Sequence, residues 1–271
     1  MAYLTQRILT PEKMDEPDVP PDRLRKSFRF LRTVNRWLGG SSAVLGHLKR
    51  WSRRWKKGQT IRILDIATGC ADIPRAIRQW AAAAGHNVRI VGIDLHETAL
   101  QIAAEAIEGS SGQGTKGSSD RATDGKGNGT FHPPLITGSL DPSIPSPPPI
   151  TLLRASALSL PFAPNTFDYC ITSLFLHHLS DIQVLTVLRM MDRLSTRGLI
   201  WNDLTRNRRA YWTTSFATLL ADPIVKHDAR VSVLAGFTAR EVEDIRQRLS
   251  LHYAQYRRHF YHRFTLAGEK F

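Results

Sequence analysis

Cysteine is scarce in this chain of 271 residues, which contains only Cys70 and Cys170. The two lie far apart and neither belongs to a CxxC pattern. The sequence therefore predicts neither a disulfide framework nor a zinc site, and we expect no bound metal. A reducing cytoplasm is the default compartment for such a chain.

Long hydrophobic runs are absent as well. No uncharged apolar stretch approaches the ~18 residues that a membrane-spanning helix needs. The first twenty residues lack the basic-then-apolar layout of a secretion signal. We therefore expect a soluble, cytoplasmic protein that is at most peripheral to a membrane. The hydrophobic content of 42% is ordinary for a chain that buries a core.

Acidic residues are fewer than basic ones, 24 against 37, and the formal net charge is +13. The excess is concentrated, because residues 22–57 hold twelve Lys or Arg and one acid, a net charge of +11. Leu24 and Phe28 recur there at helical spacing between the basic residues. We predict one helix that ends at the glycine pair 39–40, and a second helix capped by the serine pair 41–42.

These features divide the chain into three predicted parts: an extended arm at 1–21, a basic helical cap at 22–58 and an α/β domain at 59–271. Residues 109–149 are rich in Gly, Ser and Pro, and such a segment buries too little apolar surface to order itself. We predict a disordered insertion there.

The basic cap has three interpretations: a cover over a site, an amphipathic surface for anionic lipid, or an RNA-binding face.

From residue 61, short apolar runs alternate with helical patterns. Strands are predicted at 61–66, 87–94, 150–154, 167–173, 198–204, 250–259 and 261–266. Helices are predicted at 71–84, 97–107, 181–194, 205–222 and 238–249, the last with Thr238 and Glu241 as a capping box. Strands that alternate with helices form crossover units, so we expect a parallel sheet covered on both faces.

The clearest motif is the segment 63–72, which reads ILDIATGCAD. An apolar strand ends in Asp65, a tight loop with Gly69 follows, and a helix begins directly after it. The first amides of such a helix point outward, and small residues let a ligand lie against the backbone. The acid would repel a pyrophosphate and suits a ligand that is cationic there. An ordinary strand-to-helix turn is the alternative.

Asp94 ends the next predicted strand, VRIVGID. An acid at a strand end beside such a loop can accept hydrogen bonds from both hydroxyls of a ribose. The alternative is a helix N-cap, because a helix follows directly. The loop upstream favours ribose binding.

A third segment, 154–179, reads RASALSLPFAPNTFDYCITSLFLHHL. With ILDIATGCAD and VGID before it, the series resembles the class I S-adenosylmethionine (SAM) dependent methyltransferases, and most of all the menaquinone and ubiquinone biosynthesis C-methyltransferase group. The resemblance covers residues 60–205 without the insertion. It implies a Rossmann-like α/β fold with seven mostly parallel strands, helices on both faces and an antiparallel last strand, together with SAM as cofactor and methyl transfer as activity.

The resemblance also implies a set of cofactor contacts. Asp65, Ala67, Thr68 and Gly69 would lie under the methionine part and Asp72 near its amino group, while Asp94 would hold the ribose, Leu95, Ser156 and Ala157 the adenine, and Ser173 would lie below the sulfonium. The chain departs from the family in having fewer loop glycines, and Ser156 where Asp or Asn is usual. These departures leave a non-catalytic SAM-binding relative as an alternative.

Methyl transfer in line depends mainly on positioning, and a base helps when the acceptor is a phenol or an enol. His177 and His178 follow the strand that ends in Ser173, and we predict His178 as the base with His177 as the second candidate. Asn202, with Asp203 after it, ends the next strand and could orient the acceptor. For each of these residues, packing or hydrogen bonding alone is the alternative.

The predicted acceptor is a small molecule: a phenol, a quinol, or a polyketide-like or lipid-like compound. The segment SLFLHHL differs from the Asn/Asp/Ser-Pro-Pro-aromatic loop of enzymes that methylate amino groups of nucleic acids. An RNA methyltransferase that uses the basic helices is the less favoured alternative, and contact of residues 22–57 with an anionic membrane is preferred to it. Residues 205–222, with Tyr211, Trp212 and Phe216, are predicted to close an apolar lid over the acceptor.

Overall fold

A computed structural model describes residues 5–15, 19–37, 39–111, 149–219 and 221–270. Most of the segment predicted to be a disordered insertion, residues 112–148, lies outside the described residues, as does part of the predicted N-terminal arm. No helix in the described part of the chain is long and apolar enough to cross a bilayer.

Seven strands form one sheet in the order β3-β2-β1-β4-β5-β7-β6. They are β1 (Thr60–Ile66), β2 (Asn87–Asp94), β3 (Ile150–Arg154), β4 (Phe167–Ser173), β5 (Ser195–Leu204), β6 (Gln255–His259) and β7 (Arg263–Glu269). The first five strands are parallel, whereas β7 runs antiparallel to both of its neighbours. This confirms the predicted Rossmann-like sheet with an antiparallel last strand.

Eight α-helices accompany the sheet in the described residues. They are α1 (Pro21–Trp37), α2 (Gly40–Trp51), α3 (Asp72–Ala83), α4 (Glu97–Ser111), α5 (Asp181–Leu194), α6 (Arg208–Ala217), α7 (Pro223–Ala235) and α8 (Ala239–Arg248). The sequence analysis missed α7. The start of α7 is indicated by Asp222 followed by Pro223. The Asp222 carboxylate caps the helix by accepting from the Ile224 amide, and proline is favoured in the first turn.

Each face of the sheet carries its own apolar core, because successive side chains of a strand point to opposite faces. Ile63 packs into one core, with Trp51 and Ile77, whereas Leu64 packs into the other, with Trp201. Both faces of a parallel sheet must be covered, which explains why the seven residues of β4 include six that are buried.

Helix α2 belongs to this packing rather than to a separate cap. Val44 and Leu48 are fully buried, and the Trp51 ring stacks on Tyr169 of β4 with 5.1 Å between ring centroids. The serine pair 41–42 does not cap α2 as predicted. The helix starts at Gly40 after Gly39 in the left-handed conformation, and the Ser42 hydroxyl donates to the Gly39 carbonyl oxygen instead.

His47 makes the stability of this packing depend on pH. Its Nε2 lies 2.8 Å from Thr265 Oγ1, and burial, helped by His259, Arg257 and Arg50, lowers the pKa of His47 to about 4. In the unfolded chain His47 binds a proton as the pH falls below ~6.5, whereas in the folded chain it stays neutral down to about pH 4. The free energy of unfolding should therefore fall by about 1.4 kcal/mol for each pH unit between ~6.5 and ~4.

Urea unfolding at pH 7, 6 and 5 measures this loss in the wild type and in His47→Gln. The variant should be less stable at pH 7, yet it should lose distinctly less stability than the wild type as the pH falls. An equal loss in both proteins would show that His47 does not carry the effect.

Candidate functional site

A cavity of about 1070 Å³ opens at the carboxyl ends of the parallel strands. Strands β1 and β4 are neighbours, and the chain proceeds from them to opposite sides of the sheet. Ligands of open α/β sheets bind at this switch point. Nine of the predicted cofactor residues line the cavity: Ala67, Thr68, Gly69, Asp72, Asp94, Leu95, Ser156, Ala157 and Ser173.

The loop between β1 and α3 is held in an unusual backbone conformation. Ala67, Gly69 and Ala71 all have positive φ, at 57°, 53° and 55°. Glycine adopts such an angle freely, whereas Ala67 and Ala71 have a Cβ that makes it unfavourable, so the loop is locally strained. The Thr68 amide donates to the Ile93 carbonyl oxygen at 2.8 Å, so the loop is tied to the end of β2.

Asp65 lies beneath this loop and does not line the cavity. Its Oδ2 accepts a 2.7 Å hydrogen bond from Thr68 Oγ1, and the side chain is buried. Burial raises the pKa of Asp65 to about 7, although the Thr68 bond opposes this, and Asp72 and Asp94 add to it. The predicted direct contact of Asp65 with a ligand is therefore replaced by an indirect role, in which Asp65 fixes Thr68 from below.

Asp94 lines the cavity and joins the two strand ends. Its Oδ2 accepts from the Gly69 amide at 2.9 Å, and its Oδ1 accepts from the His96 amide at 2.9 Å. Burial raises the pKa of Asp94, while these amides oppose the rise. Each carboxylate oxygen still has a second lone pair, so the geometry is compatible with both of the predicted roles, a turn before α4 and a hydrogen-bond acceptor for a ligand.

The opposite wall holds the residues predicted to bracket an adenine. Leu95 is 64% exposed and lines the cavity. Ser156 Oγ accepts from the Leu158 amide at 3.2 Å, and Ala157 lines the cavity next to it.

Asn202 was predicted to orient the acceptor, but it does not line the cavity. It is fully buried on β5, and its Nδ2 donates to Ser173 Oγ at 2.7 Å. Asn202 therefore acts on the cavity only through Ser173. The strand alternation explains this placement, because Asn202 and Ser173 are register partners on adjacent strands.

The two histidines predicted as catalytic lie side by side at the polar end of the cavity, with 4.3 Å between ring centroids. His177 is buried, and its Nδ1 lies 2.6 Å from Asp203 Oδ1. Burial lowers the pKa of His177, but Asp203 and Glu12 outweigh burial and raise the pKa to about 10. A histidine that stays protonated at neutral pH is a poor base, so this geometry favours a structural role for His177.

His178 is the more accessible of the pair. Its side chain is 23% exposed, it lines the cavity, and its Nε2 lies 3.7 Å from Glu12 Oε1. The ring also stacks on Phe175, with 6.4 Å between centroids. His178 thus stands where an acceptor in the cavity would meet a polar side chain.

Glu12 is the residue of the site that sequence reasoning missed. The predicted extended arm is in fact packed against α7 and the turn after β4. Arg7 anchors it through hydrogen bonds to the carbonyl oxygens of Ala235, His177 and Leu179 at 2.9, 3.0 and 2.9 Å. Nothing in the local sequence indicates that a segment this far from residue 177 returns to it.

Helices α1 and α6 cover the cavity. Leu24, Phe28 and Phe30 of α1 line it, which agrees with the interpretation of the basic region as a cover. The predicted aromatic lid on residues 205–222 is wrong in its detail. Trp212 and Phe216 are 63% and 80% exposed and point away, while the smaller Thr214, Ala217 and Thr218 line the cavity.

Comparison with known proteins agrees with this fold. Residues 139–199 match the family model of a methyltransferase domain, which spans less than a quarter of the chain. No curated protein matches the sequence. The match does not distinguish the menaquinone and ubiquinone group, which remains a prediction from the sequence.

Solved structures give a broader likeness. A SAM dependent methyltransferase from Aquifex aeolicus has 14% identity and a TM-score of 0.54, over 93% of this chain and 99% of that one. The magnesium protoporphyrin IX methyltransferase from Synechocystis, with bound SAH, has 11% identity and a TM-score of 0.53, over 92% and 97% of the two chains.

The plantazolicin methyltransferase BamL, in complex with a triazolic desmethylPZN analog and SAH, has 12% identity and a TM-score of 0.57, over 88% of this chain and 71% of that one. At these identities the likeness shows the fold. The chain has the Rossmann-like fold of SAM-dependent methyltransferases, with a ligand cavity at its switch point.

Proposed function

We propose that this protein is a SAM-dependent methyltransferase that acts on a small, largely apolar acceptor. The single observation that supports this most is the continuity of the cavity. It connects the β1–α3 loop and Asp94, at one end, with His178 and Glu12 at the other. Its volume of about 1070 Å³ is at the upper end of the ~300–1,000 Å³ that is usual for ligand sites, which favours a cofactor with an acceptor beside it.

The residues present suit SAM. Asp94 offers carboxylate oxygens for the ribose hydroxyls, and the exposed Leu95 offers an apolar surface for the adenine. Asp72, at the start of α3, gives a negative charge for the ammonium group. When bound, SAM supplies a methyl group on a sulfonium, which departs without further activation. Ser173, held by Asn202 at 2.7 Å, lines the cavity and would lie below the sulfonium.

An apolar acceptor follows from the wall between these two ends. Leu24, Phe28 and Phe175 line it, and the histidine pair adds polar groups beside Phe175. An acceptor with an apolar body and one hydroxyl or enol group matches this combination of side chains. BamL and the magnesium protoporphyrin IX methyltransferase, which are named for small molecules, have the same fold and support this choice.

We also propose that the acceptor reaches the cavity from an anionic membrane surface rather than from RNA. Arg23, Lys26, Arg29 and Arg32 of α1 are exposed, while Leu24, Phe28 and Phe30 of the same helix line the cavity. A basic face beside an apolar cavity suits a lipid-like acceptor at a charged interface.

Calorimetric titration with S-adenosylhomocysteine (SAH), followed by transfer of labelled methyl from SAM, tests this proposal. We expect one SAH per chain, and labelled product from a panel of phenols, quinols and fatty acids rather than from total RNA. Activity on the small acceptor should change little between low and moderate salt.

Failure to bind SAH would contradict the proposal altogether. Binding without transfer to any small molecule of a cell extract would indicate a non-catalytic relative. Labelled RNA, with affinity that falls steeply as salt rises, would favour the RNA methyltransferase.

A further inference from the structure

We propose that Glu12, His177 and His178 form a binding site for one divalent transition-metal ion, with an open coordination position facing the cavity. The ligand atoms of the three residues all lie within 4.8 Å of one another. Two imidazole nitrogens and one carboxylate oxygen are a common ligand set for Zn²⁺ and for other first-row ions. The site is at the polar end of the cavity, opposite the proposed cofactor residues.

The distances match those of ligands around a tetrahedral ion. Nε2 of His177 and Nε2 of His178 lie 3.5 and 3.7 Å from Glu12 Oε1. These separations exceed the length of a good hydrogen bond. Two ligand atoms that are each ~2.1 Å from a tetrahedral Zn²⁺ are about 3.4 Å apart. An ion can therefore enter between these atoms with small side-chain movements.

An independent observation comes from His177. The residue is 3% exposed, and its Nε2 makes no hydrogen bond within the described residues, because the Glu12 Oε1 that it faces lies 3.5 Å away. A buried polar atom without a hydrogen bond is costly and requires an explanation. Nδ1 is turned toward Asp203 at 2.6 Å, which leaves Nε2 to face Glu12 and His178. A metal ion at Nε2 would satisfy this atom.

The surroundings resemble the outer shell of a metal site. Histidine ligands usually donate their other ring N–H to a carboxylate, which fixes the ring and the free nitrogen. Asp203 has this position, and it is itself held by Trp201 Nε1 at 3.0 Å and by the Leu204 amide at 2.9 Å. On the other side, Ser232 Oγ donates to Glu12 Oε1. The His177 ring and the Glu12 carboxylate are thus both held in place by neighbouring side chains.

The charges also favour a cation. Glu12 and Asp203 are both buried carboxylates, at 6% and 0% exposure, and the His177 ring lies between them, with Nδ1 2.6 Å from Asp203 Oδ1 and Nε2 3.5 Å from Glu12 Oε1. A divalent ion would displace the Nε2 proton of His177, and its two positive charges would then balance the two carboxylates. Imidazole ligands favour Zn²⁺, Co²⁺ or Fe²⁺ over Mg²⁺ and Ca²⁺, which prefer oxygen ligands.

The catalytic use of the ion rests on the proposed function, although its binding does not. An ion with an open position lowers the pKa of a hydroxyl placed against it, so that the acceptor loses its proton to solvent. The methyl carbon then bonds to the acceptor as its bond to the sulfonium breaks, which leaves a neutral thioether. His178 would then be a metal ligand in place of the base predicted from the sequence.

Binding of Co²⁺ and Zn²⁺ to chelator-treated protein tests the site directly. We expect one Co²⁺ per chain with the strong visible absorption of a four-coordinate ion, displaced by Zn²⁺. His178→Ala and Glu12→Gln should each weaken binding at least 100-fold. His227→Ala is the matched control, because His227 Nδ1 also lies 3.0 Å from a carboxylate, that of Asp228, and this pair is not in the cluster.

Absence of stoichiometric Co²⁺ binding to the wild type would overturn the inference, whether or not the variants fold. Equal binding by the two cluster variants and by His227→Ala would overturn it as well. SAH titration separates this proposal from the proposed function. A protein that binds Co²⁺ but not SAH retains the metal site and loses the function, whereas one that binds SAH but no metal does the reverse.

Discussion

Replacing Asp94 by alanine is expected to weaken SAH binding by about 100-fold or more. Hydrogen bonds to a charged group contribute about 1.5–3 kcal/mol each, and the proposed ribose contact uses both oxygens of Asp94. The same carboxylate accepts from the Gly69 and His96 amides, so its loss also frees the loop that would lie under the methionine part. Both effects lower affinity, and calorimetric titration with SAH measures their sum.

Two further variants separate charge from position. Asp94→Asn keeps one acceptor oxygen and should lose part of the affinity. Asp244→Ala is the matched control, since Asp244 is an exposed aspartate that pairs with Arg248 at 2.8 Å and does not line the cavity. It should bind SAH as the wild type does. Wild-type affinity in a folded Asp94→Ala protein would show that the ribose assignment is wrong.

Replacing Asp203 by alanine is expected to lower the free energy of unfolding by about 3–5 kcal/mol, because removal of one partner leaves a buried charge uncompensated. Asp203 is fully buried and accepts from His177, Trp201 and Leu204. The pKa of His177, now raised to about 10, depends on this carboxylate. Since domains of this kind are stable by about 5–15 kcal/mol, the variant should be close to unfolding at 37 °C.

Urea unfolding at pH 7 measures this effect against a matched exposed aspartate. Asp181 pairs with Arg7 at 2.7 Å, but its side chain is 79% exposed, so Asp181→Ala should cost about 1 kcal/mol or less. Asp203→Asn should fall between the two, because its amide can still accept from the Leu204 amide. Equal stability of the two alanine variants would mean that the buried network contributes nothing.

Much of the sheet could be predicted because its signals are local. The strands 87–94, 150–154 and 167–173 have the predicted bounds, since runs of Ile, Val and Leu between turn residues do not depend on distant contacts. The capping box of Thr238 and Glu241 is also present as predicted. Helix α7 was missed because its apolar residues alternate with His227, Asp228 and Arg230, which weakens the periodic signal.

The candidate site divides in the same way. Residues at strand ends could be predicted, because the carboxyl ends of parallel strands meet at one edge of the sheet. Ser173 and Asp94 line the cavity for this reason. The direction of a side chain could not be predicted. The Asp65 side chain contacts Thr68 beneath the loop, and the Asn202 side chain contacts Ser173 on the adjacent strand. In both cases contacts with neighbouring residues determine which way the side chain points.

By itself, the sequence determined the Rossmann-like architecture, the position of the loop after β1 and the presence of two adjacent histidines after β4. Only the tertiary structure placed Glu12 against them, because Arg7 binds three backbone carbonyls that become neighbours after folding. Such a contact between residues 12 and 177 leaves no periodicity in either segment. Local sequence patterns indicate which backbone conformation a segment adopts, whereas tertiary packing determines which charged side chains are buried next to one another.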